Sequence, residues 1–275
     1  MNTLQKIEFN ILQTLDNVCR KNNIKYYLAY GTALGAVRHK GFIPWDDDID
    51  VVMLRDDYDK FCKLAPEEIP DDLFFQTVYS NIEYPFSFAK LRKKNTAYVE
   101  EGQQQLKIQQ GIFIDIFPLD YIPNKKNKQV VQRIYAEMLW ILMARNRGKT
   151  GLKKIFVNLL NLGCTTDKAY LDKIARLEKH IKCPDKERST MVALMTYGGR
   201  AKYAKQYFDI SCFDTVYLDF EGQQFPVMSG YDDFLKISYG DYMCIPPKEK
   251  RVQHQGYYVN YEKEYQSTDK KGANV

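Results

Sequence analysis

Histidine and tryptophan are scarce in this sequence: three and two, respectively, among 275 residues. With only His39, His180 and His254 available, a histidine-based zinc centre is not expected. Cysteines at positions 19, 62, 164, 183, 212 and 244 form no C-x-x-C and no close pair. That spacing excludes a zinc knuckle and a disulfide framework, and predicts reduced thiols in a cytosolic protein. Long apolar runs are missing too. The longest, "MLWILMA" around Trp140, is too short to cross a bilayer, and "MNTLQKIEFNILQTLDNVCRK" lacks the apolar core of a signal peptide. No Lys/Arg-rich block accompanies the formal charge of +5, so nucleic acid is not expected as a partner. There is no internal repeat. What remains is a chain with 45% hydrophobic residues, enough for a sizeable core.

Leu4, Ile7, Ile11, Leu15 and Val18 recur at helical spacing and predict a packed opening helix. "IKYYLAYG" reads as a buried strand, "TALGAVRH" as a short helix, "DIDVVML" as a second strand and "RDDYDKFCKLA" as a helix. Further strands are expected in "LFFQTVY", "FSFAKLRKK", "TAYVE" and "GIFIDIFPL", and helices over about 127–145, 153–162 and 166–181. "TVYLDFEGQQFPVM" predicts a hairpin turning at Gly222, and Ser229 with Asp232 predicts a cap for a helix through "YDDFLKISYG". The last fourteen residues are polar and read as frayed.

The stretch that carries chemistry is "GFIPWDDDIDVVML". If the strand begins early, Asp46, Asp48 and Asp50 share one face while Ile49, Val51 and Met53 pack on the other; if it begins near Asp48, Asp46 belongs to the loop. Carboxylates held together on a rigid strand suit a hard divalent cation, which relieves their repulsion. The bland reading is an acidic surface loop. An EF-hand is excluded, because its obligatory glycine and closing glutamate fall on Val51 and Asp57. "RGKTG" is no P-loop, since Met143 stands where its first glycine is required, and "GTALGA" is not G-x-G-x-x-G. In "GIFIDIFPLD", Asp115 lies between Ile114 and Ile116, where an unpaired carboxylate is costly; a metal supplies a partner, and a hydrogen-bonded structural Asp is the alternative.

A strand ending in Gly31-Thr32, an Asp-apolar-Asp strand after it and a third Asp in a later strand together resemble the nucleotidyltransferase fold. "YGTALGAVRHKGFIPWDDDIDVVM", "FAKLRKKNT", "FIDIFPLD" and "YGDYMCIPPKEKRVQHQG" resemble the LicD family more closely. That family contains bacterial phosphocholine transferases and is related to the fukutin-type polyol-phosphate transferases. The resemblance implies an α+β fold: a nucleotidyltransferase-like mixed β-sheet core (about 1–122) flanked by helices, a helical insertion (about 125–185) and a small C-terminal α/β element (about 186–260). These form one catalytic domain, 1–260, before a polar tail, 261–275.

The implied reaction is transfer of a phosphoalcohol, phosphocholine from CDP-choline first, to a sugar hydroxyl of a cell-surface glycan or teichoic acid precursor, with CMP released. Glycerol, ribitol and ethanolamine phosphates are the alternatives. By the resemblance, Asp48 and Asp50 match the metal-binding pair, Asp115 the third carboxylate, and Gly31 and Thr32 the phosphate-contacting turn. The expected cofactor is Mg2+, as two ions, with Mn2+ as substitute. Asp115, or else Asp46, is expected to take the acceptor proton. Arg38, Lys90, Arg251 and His254 are expected to meet phosphate charge. Trp45 is expected to anchor the loop or to pack on the base. For Lys90 a surface lysine, and for His254 a structural histidine, are the plainer readings. Tyrosines number 21, a supply for a choline cage but not a demonstration of one.

Arg145, Arg147, Lys149, Lys153 and Lys154 surround the apolar "IFVNLLNL", a basic amphipathic element that suits the cytoplasmic membrane face and a lipid-linked acceptor; a helix packed on the domain is the other reading. Two rival functions remain, a nucleotidyltransferase using an NTP and a non-catalytic scaffold. All three candidate carboxylates are present, which argues against the scaffold.

Overall fold

The apolar face predicted at the N-terminus is buried: helix α1 (Thr3–Lys21) puts Leu4, Ile11, Leu15 and Val18 into the core and starts on an Asn2–Gln5 capping box. The computed structural model describes residues 1–144, 152–251 and 256–267. After α1 the chain forms β1 (Tyr27–Leu28), α2 (Tyr30–His39), β2 (Asp50–Leu54), α3 (Arg55–Glu68), β3 (Leu73–Gln76), β4 (Ala89–Lys93), β5 (Ala97–Val99) and the long β6 (Phe113–Pro123). The main sheet runs β1-β2-β6-β4-β3. β2 and β6 are parallel and the other neighbours in this row antiparallel, so the sheet is mixed and the class is α+β. Every residue of β6 is buried, as a central strand covered on both faces requires.

Beyond the sheet, α4 (Lys126–Met143), α5 (Leu152–Leu160) and α6 (Asp167–Ile181) follow. α4 and α6 build a second apolar cluster with Leu139, Leu142, Ile174 and Leu177. β7 (Arg188–Ala193) pairs with the far end of β6, and β8 (Phe208–Asp209) with β7. The predicted hairpin is β9 (Thr215–Phe220) and β10 (Gln223–Met228), turning at Glu221 and Gly222 with φ of 52° and 80°, the left-handed pair a two-residue hairpin needs. Its tip is clamped onto the segment before the aspartates: Glu221 N–H donates to Lys40 O (3.0 Å), and Glu221 Oε1 accepts from Phe42 N–H (2.9 Å). α7 (Tyr231–Tyr239) and β11 (Tyr258–Asn260, paired with β5) complete the chain. Among the described residues no helix is long and apolar enough to cross a membrane.

Four expectations need correction. The strand expected over "IKYYLAYG" shrinks to two residues, its far end cut back because the backbone turns into α2 at Tyr30. β2 begins only at Asp50, so Asp46 and Asp48 lie in the preceding loop; the Ala29 N–H bonds Asp50 O (3.0 Å) at the end of that ladder. α7 is capped by Gly230, since the Ser229 hydroxyl bonds Cys212 O (3.2 Å) and Asp232 is taken by Lys236 and Tyr242. The start of the tail is tied down, with Tyr265 packed on Tyr258 at 5.4 Å.

Candidate active site

Three charged side chains stand in one row across the middle of the sheet. Asp50 of β2 is registered opposite Asp115 of β6, and Lys90 of β4 is registered opposite Asp115 from the other side. Registered neighbours project to the same face, so the row is fixed by the strands themselves. Lys90 is 1% exposed; its Nζ lies 2.9 Å from Asp115 Oδ1, 3.2 Å from Glu100 Oε2 and 3.3 Å above the Phe113 ring. Arg92, equally buried, reaches Glu100 at 3.6 Å. The plainer reading of Lys90 as a surface lysine is overturned: its ammonium is engaged with two carboxylates beneath the cleft.

The start of α2 holds the aspartate segment. The buried Thr32 hydroxyl accepts from the Asp50 N–H at 2.8 Å. Gly31 leaves room for Asp46, as a Cβ there would run into Asp46 Oδ2. Gln5 of α1 donates to Asp46 O (3.0 Å), and the Tyr98 hydroxyl to Asp47 Oδ2 (3.1 Å). The loop is thus held from α1, α2 and β5.

Burial, and then the charges of Asp48, Asp115 and Asp46, push the Asp50 carboxyl well above the usual carboxylate range. Burial raises Asp115 to about 6, with Lys90 pulling back. Glu8 of α1 is 2% exposed and is pushed up by burial and by Asp48, Asp47 and Asp46; its Oε2 has no hydrogen-bond partner among the described residues. Negative charge therefore accumulates here faster than Lys90 offsets it. The donor atoms are carboxylate oxygens, the chemistry a hard divalent cation takes, and the orphaned Glu8 oxygen is consistent with unmet cation demand. Among the described residues, no three His, Cys, Asp or Glu side chains are arranged closely enough to hold an ion as they stand.

Asp48, Asp50 and Asp115 line a cleft of ≈ 480 Å³. Its other walls bring in residues the sequence reading did not single out: Tyr30, Tyr98, Glu100, Tyr197, Lys202, Tyr203 and Tyr239. They come from widely separated segments with no common period, and Glu8 reads in sequence only as part of a helix. A larger cavity, ≈ 770 Å³, lies between α3, β3 and α6. Two of its three acids are engaged, Asp59 with Lys182 (2.7 Å) and Glu178 with the Tyr79 hydroxyl (2.7 Å), and it has no registered carboxylate row, so the smaller cleft is the site of interest.

The remaining predicted residues are not gathered at Asp50. Arg38, in the last turn of α2, donates to Tyr242 O (2.5 Å) and Cys244 O (3.3 Å). Trp45 packs edge-on to His39 at 6.2 Å and beneath the Arg251 guanidinium at 4.2 Å, forming a separate cluster beside the loop. His254 lies outside the described residues, as do Arg145, Arg147 and Lys149 and the side chains of Lys153 and Lys154.

A family model described as "LicD/FKTN/FKRP, nucleotidyltransferase domain" matches residues 23–138, which include the whole carboxylate row. The lipopolysaccharide cholinephosphotransferase LicD of Haemophilus influenzae is 32% identical over 275 residues, 91% of this chain and 94% of that protein. The chain belongs to the LicD family. Uncharacterized proteins of Rickettsia typhi and Rickettsia prowazekii match this LicD family member over 59 residues, 22% of its length, at 41% and 39% identity; the match covers 19% and 22% of those proteins.

Proposed function

We propose that this LicD family member transfers phosphocholine from CDP-choline to a sugar hydroxyl of a lipopolysaccharide-type or teichoic acid precursor and releases CMP. The observation that carries the reading is the pair Asp50 and Asp115, side by side on parallel strands in a tyrosine-walled cleft. The Haemophilus relative's activity supports the choice of phosphocholine. On this reading the β1-β2-β6-β4-β3 sheet is a nucleotidyltransferase-like core, in keeping with the family model's description.

In the reaction the acceptor oxygen bonds to the phosphorus bearing choline, the bond from that phosphorus to the bridging oxygen breaks, and CMP leaves with the electron pair. The hydroxyl proton passes to a carboxylate. Asp115 suits this role better than Asp46, since it lines the cleft, whereas Asp46 is packed against Gly31. Asp48, Asp50 and Asp115 are the residues that would hold Mg2+, or Mn2+ in its place, and the ion's contribution is to neutralise charge on the phosphate oxygens. Thr32 orients Asp50 through its backbone amide, and Lys202 offers an exposed ammonium at the cleft wall for phosphate. The protein works on the cytoplasmic side, with the exposed Ile155, Leu159 and Leu162 of the α5 region turned to the membrane face that carries a lipid-linked acceptor.

CMP release from CDP-choline, followed with Mg2+ and with EDTA in the presence of a lipooligosaccharide acceptor, tests the reading. Release that needs Mg2+ and disappears in Asp50→Asn is expected. Pyrophosphate release from an NTP instead would replace it with nucleotidyl transfer, and turnover untouched by Asp50→Asn would move the chemistry away from this cleft.

A further inference from the structure

Four aromatic rings on the cleft wall touch in a closed circuit. Tyr30 meets Phe117 (6.1 Å between centroids, 90°), Phe117 meets Tyr197 (6.1 Å, 43°), Tyr197 meets Tyr203 (5.7 Å, 42°) and Tyr203 returns to Tyr30 (6.0 Å, 76°). All four line the same cavity as Asp50 and Asp115, and Tyr239 stands beside them. Three observations separate this group from ordinary core packing. Tyr203 is 39% exposed and Tyr197 half-buried, so the circuit is open to the cleft. The buried Tyr30 hydroxyl has no hydrogen-bond partner among the described residues, which is unusual for a buried phenol. Tyr30 also holds a left-handed φ of 45°, a conformation costly for an aromatic residue and typical of functional positions.

We propose that Tyr30, Phe117, Tyr197 and Tyr203 form a cage for a quaternary ammonium and thereby select choline over ethanolamine at the site described above. The inference rests on the CDP-alcohol reading and adds to it the residues that choose the alcohol. A trimethylated nitrogen has no N–H to donate, so hydrogen-bond acceptors cannot distinguish it, whereas ring faces attract its diffuse charge and tolerate its methyl surface. A primary ammonium loses its water here and gains fewer acceptors in return. Placement agrees with the chemistry. Phe117 follows Asp115 by two residues on β6, hence on the same face and about 7 Å further along. Phosphorus and nitrogen in phosphocholine are joined by four bonds of about 1.5 Å each, so a head group in the cage leaves its phosphorus near the carboxylates. The acidic row behind the rings adds a favourable field for a cation.

Affinities of CDP-choline, CDP-ethanolamine and CMP, measured by titration calorimetry with Mg2+ for the wild type, Tyr203→Leu, Tyr197→Leu and Tyr203→Phe, test the cage. The wild type is expected to prefer CDP-choline over CDP-ethanolamine. That preference should shrink roughly five- to thirty-fold in either leucine variant, the range for losing a desolvated cation–π contact. Tyr203→Phe, which keeps the ring, should retain it, and CMP affinity should not change. Thermal melts confirm that each variant is folded; if Tyr203→Leu is not, Tyr197→Leu decides. A preference that survives both leucine variants, or a wild type that binds the two CDP-alcohols equally, overturns the cage while leaving the transferase reading intact. An equal loss of CMP and CDP-choline affinity assigns the rings to the base and also overturns it. No binding of any CDP-alcohol by the wild type overturns the function proposed above, and the cage with it.

Discussion

Replacing Lys90 with Met should unfold the protein far more easily than a surface substitution would. Lys90 is 1% exposed and its Nζ serves both Asp115 (2.9 Å) and Glu100 (3.2 Å). With Arg92 this makes a group in which two buried cations face the buried Asp115 and the partly exposed Glu100, and the substitution leaves it one positive charge short. Removing one partner of a buried ion pair costs about 3–5 kcal/mol. The lost cation–π contact over Phe113 adds up to about 2 kcal/mol, but methionine refills the space and touches the ring through sulfur for about 0.3–1.5 kcal/mol, so these two nearly offset. A net loss of about 3–5 kcal/mol would be a large part of the ~5–15 kcal/mol by which domains are ordinarily stable. Urea unfolding followed by circular dichroism near neutral pH, without divalent ions, measures it. The Lys90→Met/Asp115→Asn double variant should be more stable than Lys90→Met alone, because the uncompensated carboxylate is gone. Mg2+ should stabilise Lys90→Met more than the wild type, since a cation in the carboxylate row replaces the missing charge. A loss below about 1 kcal/mol, the scale of a solvated surface pair, would refute the description of this cluster as desolvated.

Other outcomes follow from the same geometry. Asp50→Asn should lower the transfer rate by more than the ~10–100-fold typical of residues that only support a metal ligand, while leaving metal-free stability equal or higher, because it removes one of several mutually repelling carboxylates; steady-state kinetics and thermal melts read both. Thr32→Val should cost about 1–3 kcal/mol by stranding the Asp50 N–H, and should reduce turnover; a fully active, fully stable variant would show that the hydroxyl does not position Asp50. Arg55→Met should be destabilised by about 3–5 kcal/mol, since Asp120 is wholly buried and held by Arg55 at 2.7 and 3.0 Å. Burial already raises the Asp120 carboxyl against the pull of Arg55, so the folded state binds this proton more readily than the unfolded one. Stability from that group falls as pH rises from the unfolded to the folded value, and the Arg55→Met deficit should therefore shrink on acidification; a deficit that grows in acid urea titrations would contradict the sign.

Most of the elements could be read from the sequence because each carries its own local pattern. The apolar spacing of α1, the glycine turn of the β9–β10 hairpin and the apolar run of β6 are such cases. Asp50 and Asp115 stood out because an acid inside an apolar strand needs a reason. What was hidden was long-range. β1 ends early because Tyr30 turns the backbone at a left-handed φ of 45°, which the apolar letters of "IKYYLAYG" do not show. The Arg38, Trp45 and Arg251 side chains are engaged with the 242–251 region, which sequence adjacency to the aspartates did not foretell. Lys90 looked like an alternating strand residue, and only its register against Asp115 shows it buried. The aromatic circuit draws on positions 30, 117, 197 and 203, which no window of sequence brings together.

The clamp between Glu221 and the Lys40–Phe42 segment has a consequence for when the protein becomes competent. The segment leading into the loop of Asp46 and Asp48 is steadied by a turn made almost 180 residues later, so a chain emerging from the ribosome has the holds from α1, α2 and β5 on its acidic cluster long before this last clamp arrives. Synthesis of the first half therefore yields a sheet without a finished cleft, and the last hairpin acts as the closing step of assembly. A fragment ending before β9 is expected to be inert even where its secondary structure forms, which makes completeness of the chain itself a safeguard against premature chemistry.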